Sequence, residues 1–302
     1  MEKNKHLQNF SKASIEIGKK ISYVQGGGGN TSVKFNESQM AIKASGVKLK
    51  DITHEQGFSV VDYSMLNQYL NNPDLNESLF TEKIHSFVVE TDNRPSIETG
   101  FHSLLGTYVV HTHSAYVNVL NCSKEGKEEI NKLFPEFIWV KYATPGRDIT
   151  LELKENIPTP LAKEGCIFLQ NHGLIVWADN SETVLKVHNE VSNIIKDKFN
   201  LDDFIFNEER SYIPSSNKKE VLFPDQAVYT MASNDFIHSL EAQETICSYD
   251  YIIKSIEKIG FKPSFLPEKE VNKLLDMEGE KYRQSLITVS YTHLRAHETR
   301  ED

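Results

Sequence analysis

Two short apolar runs separated by a four-residue turn constrain the fold of this chain more than any other sequence feature. Residues 166–169 and 174–177 are apolar, and residues 170–173 between them read Gln-Asn-His-Gly. This pattern is typical of a β-hairpin in which Gly173 supplies a positive φ. A second hairpin is predicted within residues 32–44, where turn-forming residues separate two further β-like runs.

Helical and β patterns alternate irregularly along the first 200 residues. Apolar side chains recur at helical spacing over residues 181–199, whereas residues 109–113 and 137–142 read as strands. Because hairpins are mixed among the helices, the pattern indicates an α/β domain with a mixed or antiparallel sheet rather than a doubly wound parallel one. A further strand and further helices are predicted at residues 58–62 and at residues 1–20, 63–71 and 98–105, respectively.

The remainder of the 302-residue chain differs in character. Residues 205–225 are polar and turn-rich, and helical patterns follow at 249–259 and 268–283. We therefore predict an α/β domain over 1–204 and an α-rich extension over 205–287. The last stretch, 288–302, has no usable periodicity and is predicted to be a non-native or disordered tail, so its histidines are excluded from the site.

Charge and cysteine content exclude several classes of function. With 33 Lys+Arg against 43 Asp+Glu the net charge is −10, which repels phosphate backbones and argues against nucleic acid as a partner. Three cysteines without C-x-x-C spacing suit reduced thiols in a cytosol. The polar N-terminus and the lack of a long apolar run predict a soluble, cytoplasmic protein with no membrane partner.

Histidines provide the strongest chemical signal in the sequence. His111 and His113 stand two apart in a β-forming run, so their side chains share one strand face and could converge on a Zn²⁺ ion. Two histidines on a solvated strand face are the alternative. His172 lies in the predicted hairpin turn, where it is either an ordinary turn residue or a third ligand. Three protein ligands and an open position would define a catalytic zinc site.

A carboxylate precedes the histidine strand. Glu98 begins a predicted helix, and His102 follows on the same helix face. The carboxylate is either a solvent-facing group favoured by the helix dipole, a fourth metal ligand, or a general acid/base. His102 either orients Glu98 or is a hydrogen-bonded core histidine.

Three turns offer N–H and hydroxyl groups to an anion. Glycines 26–29 precede Asn30, the sequence Lys-Ala-Ser-Gly ends at Gly46, and Ser96 lies just before Glu98. Glycine-rich backbone can aim successive N–H groups at an anion, although a flexible turn is the alternative. Together with a metal, these turns suggest a small anionic substrate, most naturally a phosphate.

The motifs, in this order, resemble those of the class II aldolase/adducin family. The resemblance spans roughly residues 10–200 and is carried by five motifs: Gly29-Asn-Thr-Ser32, Lys43-Ala-Ser-Gly46, Pro95-Ser-Ile-Glu98-Thr-Gly-Phe-His102, His111-Thr-His113 and Asn171-His-Gly173. Weaker similarity through residues 221–225 and 277–283 resembles the aldolase portion of rhamnulose-1-phosphate aldolase/dehydrogenase-like proteins, without a dehydrogenase portion.

The resemblance implies a fold, an assembly and a cofactor. The implied fold is a three-layer α/β/α sandwich with a central, mainly antiparallel sheet, to which the smaller helical segment is added. It also implies a homotetramer with active sites between subunits. The implied cofactor is zinc, or another divalent metal such as Mn²⁺, Co²⁺ or Mg²⁺, held by His111, His113 and His172.

The resemblance also implies an activity, that of a lyase. A metal-dependent aldolase would cleave a small ketose phosphate or related sugar through a metal-stabilised enediolate, with Glu98 as the catalytic acid/base. Substrate phosphate would be bound by four residues: Asn30, Ser45, Gly46 and Ser96. Alternatives are a family epimerase, dehydratase or decarboxylase with the same metal site, and, from another class, a non-catalytic adducin-like interaction protein.

Two departures from the family pattern affect these expectations. Ile97 stands where family phosphate aldolases often have a second serine before the glutamate, which weakens the expectation of tight phosphate binding. Family aldolases also use a tyrosine from a neighbouring subunit to protonate the leaving aldehyde oxygen. Tyr116 and Tyr142 are candidates for that role.

Overall fold

A seven-stranded sheet forms the centre of the protein. The computed structural model describes residues 2–72, 74–91, 93–213, 220–231, 237–277 and residue 281. The strand order is β3-β2-β1-β4-β7-β6-β5. The strands are β1 (Asn30–Lys34), β2 (Gln39–Lys43), β3 (Phe58–Asp62), β4 (Tyr108–Thr112), β5 (Ile138–Val140), β6 (Gly165–Leu169) and β7 (Gly173–Ala178).

Most neighbouring strands run antiparallel, and β5 pairs with β6 in parallel. The predicted mainly antiparallel sheet is therefore confirmed. The helices within the described part of the chain are α1 (Glu2–Gly18), α2 (Tyr63–Tyr69), α3 (Glu77–Ser86), α4 (Thr99–Leu104), α5 (Ala115–Asn121), α6 (Gly126–Leu133), α7 (Arg147–Asn156), α8 (Ser181–Lys198), α9 (Pro224–Thr230), α10 (Leu240–Lys258) and α11 (Glu268–Asp276). A short 3-10 helix spans Leu49–Asp51.

The predicted hairpin of β6 and β7 is confirmed, with Leu169 opposite Gly173. Its positive φ lies at Asn171, at 53°, so the prediction that Gly173 supplies it is wrong. Gly173 is needed for space instead. A Cβ at this position would lie 2.2 Å from the carbonyl oxygen of Thr112, so a side chain would push β7 away from β4.

Helices cover both faces of the sheet. Val109 on β4 packs in an apolar cluster with Phe101 of α4 and Leu153 of α7. Val110, the next residue, faces the opposite cluster, to which α1, α5 and α8 contribute. This alternation is what a strand buried on both faces requires. The expected three-layer α/β/α arrangement is confirmed.

The α-rich extension packs into the same core as the sheet. Leu222, Phe223 and Ile252 join the cluster that contains Val110. Helix α10 begins nine residues before the predicted position 249, and Ser239 caps its N-terminus by accepting a hydrogen bond from the backbone N–H of Ala242 at 3.2 Å. The predicted helix at 268–283 is described as far as Asp276, with most of its remainder outside the described residues.

The proposed division at residue 204 remains a prediction, and the predicted tail at 288–302 lies outside the described residues. None of the helices in the described ranges combines the length and apolar character that a bilayer crossing requires.

Candidate metal centre

Three histidines converge beside the end of β4. His111 lies on the strand, His113 lies one residue beyond it, and His172 lies in the turn between β6 and β7. The Nε2 atoms of His111 and His113 are 3.1 Å apart. One potential ligand atom from each histidine lies within 4.8 Å of the others. All three side chains are buried, so the predicted cluster is assembled within the fold.

Strand pairing explains why residues 60 positions apart meet. β4 pairs with β7 so that Thr112 stands opposite Leu174, two residues after His172. The tight turn before β7 then returns His172 to the end of β4. Gly173 leaves room for the rings, because a Cβ there would contact His111 Cε1 and His113 Cδ2 at 3.1 Å.

Hydrogen bonds at Nδ1 aim two of the rings. His111 Nδ1–H donates to the carbonyl oxygen of Leu174 at 3.1 Å, and His113 Nδ1–H donates to Asp225 Oδ2 at 2.6 Å. Each bond leaves the lone pair of Nε2 facing the cluster. Burial, followed by the neighbouring His172 and His113, holds the pKa of His111 well below its usual range. His111 is therefore neutral at physiological pH, as a metal ligand must be.

Glu98 completes the group. It is buried just before α4, with Oε1 3.4 Å from His172 Nε2 and Oε2 3.5 Å from His111 Nε2. Neighbouring ligands on a tetrahedral zinc with bonds of about 2.0–2.1 Å stand about 3.3–3.4 Å apart. Three histidines and a carboxylate at these separations fit a divalent cation. The solvent-facing alternative for Glu98 is excluded by its burial.

A chain of hydrogen bonds behind Glu98 fixes the carboxylate. Asn30 Nδ2–H donates to Glu98 Oε2 at 2.7 Å, and His102 Nε2–H donates to the Asn30 oxygen. Ser32 Oγ–H donates to His102 Nδ1 at 2.7 Å. Burial lowers the pKa of His102 to about 3, so this ring stays neutral. The two sequence hypotheses for His102 are both met, since it is a hydrogen-bonded core histidine that orients Glu98 through Asn30.

One cavity collects the predicted anion-binding residues around the cluster. We call it the site cavity, and its lining is Gly27, Gly28, Gly29, Asn30, Lys43, Ser45, Gly46, Ser96, Ile97, Glu98, His113, Pro145, His172, Pro224 and Asp225. Two of the three turns are tied together, because Ser45 N–H donates to Arg94 O at 2.8 Å and Ser96 N–H donates to Lys43 O at 3.2 Å. Asn30, Ser45, Gly46 and Ser96 thus share one cavity.

Residues 26–29 form a loop, which we call the glycine loop, and three of its N–H groups are bonded within the protein. Instead of facing an anion, Gly26 N–H donates to Glu244 Oε2 at 2.6 Å and Gly27 N–H donates to Tyr229 Oη at 3.2 Å. Gly28 N–H donates to Gln25 O at 3.0 Å. The extension, which supplies Glu244 and Tyr229, therefore holds the loop in place.

Sequence reasoning missed Asp225 as a site residue and left Lys43 outside the binding set. Asp225 is 112 positions from His113, and the only signal at this position in the sequence was the weaker family similarity over residues 221–225. Lys43 is buried in the wall of the site cavity. Lys48, two residues beyond Gly46, forms an ion pair with Glu241 at 2.8 Å.

Ile97 and the two candidate tyrosines occupy three different positions. Ile97 lines the cavity and also packs against an apolar cluster of the extension that contains Val221 and Ala227. Tyr142 packs against the same cluster. Tyr116 is buried in the core, where its hydroxyl accepts a hydrogen bond from Phe204 N–H at 3.1 Å, so within this chain it does not line the site cavity.

Comparisons with known proteins agree with this fold. Residues 10–196 match the family model described as the class II aldolase and adducin N-terminal domain. A class II aldolase domain from Thermoplasma acidophilum superposes with a TM-score of 0.57 at 22% identity, over 63% of this chain and 92% of that one. YgbL from Klebsiella pneumoniae superposes with a TM-score of 0.50 at 17% identity, over 68% of this chain and 94% of that one. No curated protein sequence matches the chain.

Proposed function

Because the chain belongs to the class II aldolase and adducin family, we propose that it is a metal-dependent lyase that cleaves a small ketose phosphate into two carbonyl fragments. One observation carries the proposal. A buried carboxylate, Glu98, lies 3.4–3.5 Å from two members of a three-histidine cluster, at the wall of a cavity rich in hydroxyl and N–H donors. A non-catalytic adducin-like role gives no reason for this arrangement.

The proposed cofactor is zinc, held by His111, His113 and His172. The donor set supports this choice, since neutral imidazoles suit zinc and other borderline divalent cations better than Ca²⁺. When bound, such a cation supplies Lewis-acid stabilisation of negative charge on substrate oxygens.

Glu98 is the proposed acid/base. Aldol cleavage breaks a carbon–carbon bond and leaves one fragment as an enediolate, which must take up a proton at carbon before it departs as a ketone. Glu98 is the carboxyl group in the described cavity lining that faces the Nε2 atoms of His111 and His172, and Asn30 holds it in one orientation. In the direction of condensation the same carboxylate would remove that proton.

The proposed phosphate pocket consists of Asn30, Ser45, Gly46 and Ser96, with Lys43 as the nearby cation. Hydroxyl and N–H donors around a phosphate form charge-assisted bonds that are stronger than those between neutral groups. The family further supports a homotetrameric assembly, and we propose that the protein acts in the cytoplasm. Residues 1–204 would form the catalytic domain and residues 205–287 its extension.

The test is product analysis on a panel of ketose 1-phosphates with zinc-loaded protein. Release of an aldehyde together with dihydroxyacetone phosphate supports aldol cleavage, whereas a single isomeric product would favour the epimerase alternative. Water or carbon dioxide release would favour a dehydratase or decarboxylase. Absence of metal from the purified, zinc-supplemented protein would overturn all of these.

The Glu98→Gln variant tests the acid/base assignment within the same panel. We expect turnover to fall by about 10²–10⁴-fold while the metal remains bound, because the amide keeps the size of the side chain and cannot carry the proton. Glu257→Gln, at an exposed position on α10, is the matched control and should retain parental turnover. Activity of Glu98→Gln within a few-fold of the parent would remove Glu98 from the mechanism.

A further inference from the structure

The extension contacts a metal-centre histidine directly. Asp225 lies beyond residue 196, where the family match ends, and its Oδ2 accepts the Nδ1–H of His113 at 2.6 Å. Both side chains are buried, with Asp225 3% exposed and His113 6% exposed. A carboxylate buried against one imidazole holds that ring far more firmly than a surface contact would.

Gly28 of the glycine loop packs directly against this hydrogen bond. Gly28 packs so closely that a Cβ there would lie 2.5 Å from Asp225 Oδ2 and 2.7 Å from His113 Nδ1. A side chain at Gly28 would therefore force either the loop or one of the two groups to move. The absence of a side chain lets the glycine loop lie over the contact and shield it from water.

Further bonds hold the segment that carries Asp225. Gln226 Oε1 accepts the Leu222 N–H at 2.7 Å, and Gln226 Nε2 donates to Glu220 O at 3.1 Å. The Leu222 carbonyl oxygen in turn accepts Asn171 Nδ2–H at 2.9 Å. Since Asn171 directly precedes His172, the same short segment fixes two of the three ligand positions.

From this geometry we propose that Asp225 is a positioning residue of the metal centre, which locks His113 in the Nδ1–H tautomer and strengthens Nε2 as a ligand. The inference rests on the proposed metal-dependent function. A carboxylate that accepts the distal N–H of a ligating histidine fixes the ring and raises its basicity, typically changing metal affinity by about 10–100-fold. The extension would thus be part of the catalytic unit.

The experiment is a titration of metal-free full-length protein with Zn²⁺ against a chromophoric chelator. Asp225→Asn keeps the size and one acceptor but removes the charge, whereas Asp225→Ala removes the acceptor. We expect zinc affinity to fall by about 10-fold for Asn and by up to about 100-fold for Ala. Co²⁺-loaded samples should show altered ligand-field bands in both variants, which a loss confined to stability would not produce.

Asp148→Asn is the matched control. Asp148 on α7 forms an ion pair with Lys273 on α11, so its loss weakens another contact between the extension and the domain without touching His113. The control should bind zinc like the parent. Thermal unfolding of each variant shows whether it folds. If Asp225→Ala does not fold, the isosteric Asp225→Asn variant alone tests the proposal.

Two results distinguish failure of the Asp225 proposal from failure of the proposed function. If the parent binds zinc and Asp225→Ala binds it within two-fold of the parent with an unchanged cobalt spectrum, the positioning role of Asp225 is wrong and the proposed function stands. If the parent itself binds no divalent metal, the proposed function fails first.

Discussion

At the scale of single residues, Asn30 has two possible roles that kinetics can separate. Sequence resemblance assigns it to substrate phosphate, whereas its Nδ2–H donates to Glu98 Oε2. If Asn30 mainly orients Glu98, Asn30→Ala should lower kcat by about 10–100-fold, the usual worth of a hydrogen bond to a charged group, with little change in KM. Steady-state kinetics on the cleaved substrate gives both constants. A rise in KM alone would favour the phosphate role.

Ser45 offers a second residue-scale test. It lines the site cavity on the turn tied to Arg94, and its hydroxyl is available for a phosphate oxygen in the proposed pocket. Ser45→Ala should raise KM for a phosphorylated ketose by about 10-fold or more, in line with loss of a charge-assisted bond. The unphosphorylated analogue is the internal control. Equal changes for both compounds would remove Ser45 from the phosphate pocket.

At the scale of elements, the contact between β4 and β7 positions the three histidines. Gly173→Ala would place a Cβ 2.2 Å from the Thr112 carbonyl oxygen, so the strands must move apart. We expect the free energy of unfolding to fall by about 2–4 kcal/mol and zinc affinity to fall with it. Denaturant unfolding and metal titration measure the two effects.

Gly260→Ala is the control for that substitution. Gly260 has a φ of 79° and nothing within 4 Å of an added Cβ, so alanine there adds only backbone strain of about 1–2 kcal/mol. Its zinc affinity should equal that of the parent. Parental zinc affinity in Gly173→Ala would show that the cluster tolerates strand displacement.

The same elements show what local sequence can and cannot predict. The hairpin of β6 and β7 follows from its alternating apolar and turn residues, and strand β3 lies where the pattern places it. The parallel pairing of β5 with β6 depends on contacts between residues far apart in the sequence, so no local sequence pattern predicts it. The use of Gly173 for space rather than for positive φ depends on Thr112, a neighbour only in the folded sheet.

Site residues divide in the same way. His111, His113, His172 and Glu98 could be singled out because metal and proton chemistry restrict the usable side chains. Asp225, Tyr229 and Glu244 could not be singled out, because an aspartate, a tyrosine and a glutamate are common in helices. Their function depends on tertiary contacts alone.

At the scale of the whole molecule, Glu244 links extension and domain in a pH-dependent way. Burial raises the pKa of Glu244 to about 7, against the opposing hydrogen bond from Gly26 N–H, whereas its ordinary value is 4.5. Between these values the folded protein binds a proton that the unfolded chain has lost. The free energy of unfolding should therefore fall as the pH rises from about 5 to 8.

Glu244→Gln measures this contribution. The amide does not titrate, so the stability of the variant relative to the parent should rise by about 1–3 kcal/mol between pH 5 and pH 8. Denaturant unfolding at both values gives the difference. Glu257→Gln, exposed on the same helix, should show no such trend. A constant difference between Glu244→Gln and the parent would contradict the raised pKa.

The contacts of the glycine loop have a consequence for folding during synthesis on the ribosome. Gly26 and Gly27 bond to groups 218 and 202 positions later in the chain. At ribosomal rates of about 5–20 residues per second, the interval between synthesis of Gly26 and synthesis of Glu244 is about 10–40 s. During that interval the histidines leave the ribosome before the segment that closes over them. The proposed metal would meet a site that still lacks this segment, so we expect stable metal loading only after residues 225–244 have been synthesised.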